Sequence, residues 1–246
     1  MRLLIDLGNS RLKWAWYDRD RWQSGAADVG SASFDNLLGA LNASGDIPEQ
    51  IAVASVADQG RMTALKKALT ARWSAPVLEI RSVPAQLGVS NRYRDPAQLG
   101  ADRWAALIAA RQETTKPVCV ISCGTAVTID AMNEDGEFVG GVILPGLDLM
   151  RRSLAEGTAA IAMREGDDSS CQALSTEDAV MSGTRFALAG AVTRIAAEHR
   201  RVVGTDMSSL ITGGSAGVIL PLLDFPVIHK PDLVLFGIRA ISEAGQ

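Results

Sequence analysis

The chain has 246 residues, enough for one large domain or two small ones that each bury a hydrophobic core. It is 47% hydrophobic and 21% charged, and its formal net charge of -4 gives no electrostatic reason to expect nucleic acid as a partner. No run approaches the roughly 18 apolar residues of a membrane span, and the N-terminus reaches Asp6 too early for a signal peptide. We therefore expect a cytoplasmic protein that binds neither nucleic acid nor membrane.

Cysteine and histidine usage narrows the chemistry. Cys119, Cys123 and Cys171 fit no paired zinc spacing, and we expect them to be reduced thiols. His199 and His229 have no neighbouring Cys, Asp or Glu at ligand spacing, and no serine elbow occurs. Neither a serine-hydrolase mechanism nor a histidine-ligated metal centre is indicated.

The first half of the chain predicts three strands followed by alternating helices and strands. Strands are predicted at 2–6, 11–17, 22–29, 51–57 and 76–80, with Gly8 and Asn9 at the first turn. Helices are predicted at 33–44 with Ser33 as the cap, at 61–73 and at 99–112.

The second half repeats this order. Strands are predicted at 118–123, 126–132, 138–146 and 208–212. Helices are predicted from Leu147, at 175–200 with Ser175 or Thr176 as the cap, at 215–223 and at 231–244. The repetition predicts an α/β protein of two domains related by duplication, at 1–116 and 117–246.

Glycine and hydroxyl residues follow a predicted strand at three places. The segments are "DLGNS" from Asp6, "CGTAVTID" from Cys123 and "TGGSAG" from Thr212. Such turns bring backbone N–H groups and hydroxyls close to a ligand, and phosphate suits that geometry. Asp6 can hold hydrated Mg²⁺ beside the phosphates, and Lys13 can neutralise their charge. One such segment alone is also explained as an ordinary turn, but the recurrence favours a nucleotide site.

A second cluster lies in "YRDPAQLGADRWAALIAA", 93–110. Asp102 and Arg103 stand in the first turn of a predicted helix, and Gly100 frees the backbone to approach a substrate. A carboxylate there can accept the proton of an attacking hydroxyl, while the guanidinium holds an anionic part of the substrate. Taken alone, Asp102 is also explained by the favourable placement of Asp at a helix N-terminus.

Together these segments resemble the type III pantothenate kinases, a family that includes Bvg accessory factors. The resemblance covers nearly the whole chain and rests on six segments in the family's order: "DLGNSRLK" at 6–13, "YRDPAQLGADR" at 93–103, "GTAVTID" at 124–130, "GGVILPGL" at 140–147, "STEDAVMSG" at 175–183 and "TGGSAG" at 212–217. The family belongs to the acetate and sugar kinase, Hsp70 and actin superfamily. The resemblance therefore implies two ribonuclease-H-like (actin-like ATPase) domains, each with a mixed sheet flanked by helices, and ATP between them.

The resemblance also implies an activity and its residues. The activity is ATP-dependent phosphorylation of pantothenate to 4'-phosphopantothenate, the first step of coenzyme A biosynthesis, by a homodimer. Residues implied for the ATP phosphates are Asp6, Leu7, Gly8, Asn9, Ser10, Arg11, Leu12, Lys13 and Thr125, with Asp6 also holding Mg²⁺ and the 212–217 turn on the adenosine side. Residues implied for pantothenate are Tyr93, Gly100, Ala101, Asp102, Arg103 and Thr176, with Asp102 as the proton acceptor.

One position departs from the family. The family usually has Asp two residues before Gly-Thr-Ala, where it ligates a monovalent cation (K⁺ or NH₄⁺), whereas this chain has Ser122. A hydroxyl offers a neutral oxygen without the negative charge, so the sequence predicts weaker dependence on that cation. Ser122 favours an alternative function, a non-catalytic or regulatory nucleotide-binding descendant, and a different phosphotransferase or phosphohydrolase is a third. The presence of Asp6, Lys13, Asp102 and Arg103 favours the kinase.

Overall fold

Two units, each with its own β-sheet, make up the chain in a computed structural model that describes residues 1–19, 21–29, 34–42, 45–167 and 170–245. The first unit comprises Met1–Glu113 and Asp232–Gln246, and the second comprises Thr114–Pro231. No helix in these described ranges is long and apolar enough to cross a membrane.

The sheet of the first unit has five strands in the order β3-β2-β1-β4-β5. They are β1 (Arg2–Leu7), β2 (Arg11–Asp18), β3 (Arg21–Asp28), β4 (Gln50–Ser55) and β5 (Val77–Ile80). The first three form an antiparallel meander, whereas β4 lies parallel to β1 and β5 parallel to β4. The parallel steps need crossover connections, and the helices α1 (Asp35–Asn42) and α2 (Gln59–Arg72) provide them.

Alternate side chains along β1 point to opposite faces of the sheet, and one of these faces forms the hydrophobic core with the helices. Leu3, Ile5 and Leu7 share one face and pack with residues of α1 and α2, including Leu37 and Leu65. The cap of α2 is Asp58, whose side chain accepts the Arg61 N–H. The predicted cap of α1, Ser33, lies outside the described residues.

After β5 the chain forms a small hairpin that the sequence analysis did not predict. Its strands are β6 (Ala85–Gln86) and β7 (Val89–Asn91), and a 3-10 turn, Pro96–Gln98, separates it from α3 (Ala101–Glu113). The hairpin turn places Leu87 at φ 51° and Gly88 at φ 78°. A leucine rarely adopts this left-handed conformation, so the pair carries no sequence signal for a two-residue turn.

The second unit repeats the plan of the first. Its elements are β8 (Val118–Cys123), β9 (Ala126–Met132), β10 (Glu137–Pro145), α4 (Leu147–Gly157), α5 (Thr176–Val203), β11 (Ser208–Thr212), α6 (Ala216–Ile219) and β12 (Ile228–His229). The strand order within the unit is β12-β11-β8-β9-β10. Again three antiparallel strands are followed by two parallel ones, and α5 packs on the apolar face of β8 and β9. The expected α/β architecture, two mixed sheets flanked by helices, is confirmed.

The start of one predicted helix is confirmed, and the end of another differs from the prediction. Ser175 caps α5, because its hydroxyl accepts the Asp178 N–H at 3.1 Å, and Thr176 is the first helical residue. The helix predicted at 215–223 is the short α6 followed by a 3-10 turn, Leu220–Leu222. Pro221 lies in this turn, and proline lacks the N–H that a continuing α-helix requires.

The last helix, α7 (Leu233–Ala244), packs in the first unit. The predicted second domain extended to residue 246, whereas the second unit ends at Pro231. Helices α3 and α7 contact each other closely; α7 lies against β1 and β4, and α3 lies against β4. The two backbones meet at Gly237, where an added Cβ would stand 1.8 Å from the Ala105 carbonyl oxygen. An apolar helical pattern shows that a helix is covered, but it does not show which sheet covers it.

Candidate functional site

The first predicted phosphate segment is the tight turn between β1 and β2. The Gly8 N–H donates to the Arg11 carbonyl at 3.1 Å, and an added Cβ on Gly8 would stand 2.8 Å from that same oxygen. Glycine is therefore required for the closeness of this turn. Asn9 and Ser10 are exposed at its tip, where their backbone and side-chain donors are accessible to an anion.

Two residues assigned to this segment have buried side chains. Leu7 and Leu12 are partners across β1 and β2, and both belong to the hydrophobic core of the first unit. Their side chains hold the turn on the sheet, so contact with a phosphate would be left to their backbones. The Arg11 side chain, by contrast, is exposed.

Asp6 stands at the centre of the charged site. It lies opposite Lys13 across β1 and β2. Burial and the nearby Asp102 carboxylate raise the pKa of Asp6 to about 7, while Lys13 acts in the opposite direction. The structure therefore brings Asp102, which is far from Asp6 in the sequence, within electrostatic reach of it, and Lys13 acts on the same carboxylate. Two interacting carboxylates provide the hard oxygen ligands that Mg²⁺ prefers.

Gly100 makes room for the Asp102 carboxylate at the start of α3. An added Cβ on Gly100 would stand 2.6 Å from Asp102 Oδ1 and 3.3 Å from a methyl group of Val56. The carboxylate also accepts the Arg103 N–H at 2.7 Å. The Gly100 carbonyl accepts the Trp104 N–H at 2.9 Å, which begins the helix. Gly100 thus serves the placement of Asp102 directly.

Arg103 and Tyr93 form a bonded pair beside Asp102. Only 5% of Arg103 is exposed, and its Nη1 donates to the Tyr93 hydroxyl at 2.8 Å. The guanidinium carbon also lies 5.6 Å from the centre of the Tyr93 ring. Ala101, the other assigned residue here, is buried with 8% exposure. A guanidinium held in this way is suited to bind an anionic group.

Thr125 and Ser122 lie at the corresponding turn of the second unit. Gly124 and Thr125 join β8 to β9, and the Thr125 carbonyl accepts the Gly146 N–H at 2.9 Å. An added Cβ on Gly146 would stand 2.2 Å from the Gly124 oxygen, so the start of α4 packs directly on this turn. Ser122 is half-buried near the end of β8.

The surroundings of Ser122 consist of hydroxyl residues. Its partners on the neighbouring strands are Thr128 and Thr212. The Thr212 hydroxyl donates to the Pro231 carbonyl, and in the described part of the chain Thr128 Oγ1 has no hydrogen-bond partner. The described residues contain no group of three or more His, Cys, Asp or Glu side chains that could hold a metal ion. These neutral oxygens do not fit the carboxylate-ligated cation site that the resemblance implies.

Thr176, the remaining assigned residue, is exposed at the first turn of α5. It lines a groove of about 520 Å³ between α4 and α5, whose other walls include Met150, Leu154 and Val180. The groove lies within the second unit and is mainly apolar.

Two side chains at the site were not identified from the sequence. The Arg61 guanidinium donates to the Asn9 carbonyl and so fastens the tip of the first turn. Asn91 accepts the Tyr93 N–H at 3.0 Å. The spacing of Asn91 and Tyr93 is that of an Asx turn and could have indicated Asn91. Arg61 had no comparable signal, because 52 positions separate it from Asn9.

Known proteins resemble this chain over nearly its whole length. A family model described as "Type III pantothenate kinase" matches residues 2–198. A protein of that name from Thiobacillus denitrificans is 42% identical, and the match covers 99% of this chain and 97% of the relative. Another of the same name, from Nitrosospira multiformis, is 38% identical over 98% of this chain and 90% of its own.

Solved structures with much lower identity share the fold. A Campylobacter jejuni protein described as a Baf family transcriptional activator has a TM-score of 0.61 at 20% identity, and the match covers 98% of both chains. The activator of 2-hydroxyisocaproyl-CoA dehydratase from Clostridium difficile has a TM-score of 0.58 at 13% identity, covering 99% of this chain and 95% of its own. At these identities the likeness establishes architecture alone.

Proposed function

Since the chain belongs to the type III pantothenate kinase family, we propose that it transfers the γ-phosphoryl group of ATP to pantothenate. The product is 4'-phosphopantothenate, and the reaction is the first step of coenzyme A biosynthesis. The observation that carries this proposal is the grouping of Asp6, Lys13 and Asp102 in the first unit. The buried Arg103 follows Asp102 directly in the chain, so a phosphate-binding turn and an acceptor site occur on one sheet and its flanking helix.

The ATP phosphates bind at the β1–β2 turn. Its glycine geometry presents backbone N–H groups, Asn9 and Ser10 add donors, and Lys13 neutralises charge. Asp6 holds Mg²⁺, which neutralises the phosphate oxygens when bound. Thr125 acts at the second phosphate turn, and the glycine turn at 212–217 faces the adenosine side. The sharp turn at Gly124 and Thr125 supports this role for Thr125.

Asp102 accepts the proton of the attacking pantothenate hydroxyl. Its carboxylate is fixed by the Arg103 N–H and has room only because residue 100 is glycine. General-base catalysis of this kind contributes on the order of 10²- to 10⁴-fold. Arg103 and Tyr93 bind the substrate together with the backbone at Gly100 and Ala101, and Thr176 contributes from α5.

Monovalent cations have little effect on this enzyme. The cation ligand expected from the family is a carboxylate, and Ser122 with its partners Thr128 and Thr212 supplies only neutral oxygens. Asp130, which could serve instead, is buried two residues beyond Thr128 on β9, opposite Val120. A full charge dominates ion binding in a partly dry site, so its loss weakens the site.

The enzyme is a cytoplasmic homodimer. Exposed small residues, Ala179, Gly183 and Ala187, follow Thr176 along one side of α5 and line the groove beside α4. Small side chains permit a helix of a second subunit to approach closely. The groove therefore supports self-association beside Thr176, which is assigned to pantothenate.

Identification of the product tests the proposed function. The chain is incubated with MgATP and pantothenate, and mass spectrometry is used to detect 4'-phosphopantothenate, with Asp102→Asn as the control. Formation of this product by the unaltered chain, but not by the Asp102→Asn variant, supports the proposed kinase activity. Tight ATP binding without any phosphorylated product would favour the non-catalytic nucleotide-binding alternative.

A further inference from the structure

Asn91 uses every polar atom of its side chain to join three segments of the first unit. Its Oδ1 accepts the Tyr93 N–H at 3.0 Å, which forms an Asx turn. Its Nδ2 donates to Ser82 Oγ at 2.9 Å and to the Pro96 carbonyl at 3.2 Å. Its backbone N–H donates to the Pro84 carbonyl at 2.9 Å. Ser82 is itself buried, with 8% exposure, so Asn91 is hydrogen-bonded to the interior of the unit.

Tyr93 depends on this network for its position. It lies between β7 and the 3-10 turn at Pro96–Gln98, where neither strand nor helix fixes the backbone. The far end of the loop is held by Asp95, whose Oδ1 accepts the Ala97 N–H at 3.1 Å. Asn91 holds the near end. The Tyr93 ring and hydroxyl then contact Arg103, at 5.6 Å from ring centre to guanidinium carbon and 2.8 Å from oxygen to Nη1.

We infer that Asn91 is a positioning residue of the acceptor-substrate site, which holds Tyr93 against Arg103 so that the two form one preformed binding surface. The inference rests on the proposed function, because that function assigns Tyr93 and Arg103 to pantothenate. A loop already held in its binding conformation loses little further freedom when substrate binds. Without Asn91 the loop samples other conformations, and apparent affinity falls in proportion to the time spent in them.

The test separates the two substrates of the reaction. Asn91→Ala should raise the KM for pantothenate on the order of 10-fold, while kcat and the KM for MgATP change less than about twofold. Asn91→Ser restores an acceptor for the Tyr93 N–H, since serine forms a similar but weaker turn. It should therefore recover part of the lost affinity. If Asn91 only stabilised the fold, Asn91→Ala would lower stability without raising the KM for pantothenate selectively over the KM for MgATP.

Asn133 provides a matched control. It accepts the Glu137 N–H and donates to Glu137 Oε2, both at 2.9 Å, in the turn between β9 and β10. Asn133→Ala thus removes similar bonds from a turn assigned no substrate, and the KM for pantothenate should stay unchanged. In a Tyr93→Ala background, adding Asn91→Ala should change that KM by less than about twofold, because the two residues act as one unit.

Hydrogen exchange gives a readout that needs no substrate. The Tyr93 amide should exchange faster in Asn91→Ala than in the unaltered chain. If Asn91→Ala folds and turns over with an unchanged KM for pantothenate, or if both KM values rise equally, the inference is wrong. If the unaltered chain shows no pantothenate-dependent turnover, the proposed function fails and the substrate role of Asn91 fails with it. Exchange at Tyr93 would then still report whether Asn91 holds the loop.

Discussion

The ionised form of Asp6 lowers the stability of the folded chain, and a bound cation can offset this loss. Its pKa is raised from 3.8 to about 7 by burial and by Asp102. Between these pH values the folded chain keeps a proton that the unfolded chain has released. The free energy of unfolding therefore falls as pH rises from 4 to 7, and the full cost is present above pH 7. A bound divalent cation would favour the ionised form and offset this cost.

Replacing the carboxylate should therefore stabilise the ligand-free protein. We expect Asp6→Asn to raise the free energy of unfolding at pH 8 by about 1 to 3 kcal/mol, with the difference shrinking below pH 7 and becoming small at pH 4. The same variant should lose turnover, because it lacks the carboxylate that we propose holds Mg²⁺. Thermal unfolding without nucleotide at both pH values, together with an activity assay, checks this. A lower melting temperature at pH 8 would instead make Asp6 a structural turn residue.

Ser122 allows a test in which an activity is gained. We expect turnover at saturating MgATP and pantothenate to respond weakly to KCl when a bulky organic cation keeps the ionic strength constant. Ser122→Asp should create a K⁺ response by supplying the missing charge. Steep activation of the unaltered enzyme by low millimolar K⁺ would contradict this and would indicate another ligand, such as Asp130 or Asp148.

At the scale of single residues, short motifs in the sequence indicated where glycine is needed, while the binding roles assigned to these residues stay predictions. Gly8 and Gly100 stand out in short motifs, and their required closeness to Arg11 and Asp102 is visible in the structure. The raised pKa of Asp6 could not be predicted, because it depends on burial in the fold and on Asp102, a residue that is distant in the sequence.

At the scale of elements, the contact between α3 and α7 holds the last helix of the chain in the first unit. Gly237→Ala should destabilise the first unit by about 3 kcal/mol, because the new methyl group would overlap the Ala105 carbonyl at 1.8 Å and the helices must separate. Gly39→Ala is the control, since nothing lies within 4 Å of a Cβ at that exposed position of α1. It should be neutral or stabilising by up to about 1 kcal/mol. Denaturant unfolding measures both, and equal stability of the two variants would contradict the close packing.

Pattern-based prediction succeeded for elements with strong periodicity. The limits of β8, β9 and β11 agree with those predicted. It missed the hairpin of β6 and β7, since strands of two and three residues have no measurable alternation. It also assigned α7 to the second domain, because long-range packing leaves no local trace in the sequence.

At the scale of the whole molecule, self-association is the property most accessible to measurement. Light scattering at micromolar concentration should give twice the subunit mass of 26.0 kDa. Gly183→Arg places a large charged side chain in the groove between α4 and α5 and should shift the mass towards one subunit. Gly39→Arg makes the same exchange on exposed α1 and should leave the mass unchanged. A single-subunit mass for the unaltered chain would contradict the homodimer.

The proposed kinase activity is tested most directly by measuring ADP release with and without pantothenate. We expect release only when pantothenate is present, because phosphoryl transfer requires the acceptor hydroxyl. Asp102→Asn should fold normally and lower kcat on the order of 10²- to 10⁴-fold, since the amide cannot accept the proton. ADP release that does not depend on pantothenate would contradict the proposed kinase activity, and near-normal turnover by a folded Asp102→Asn variant would contradict the role of Asp102 as proton acceptor.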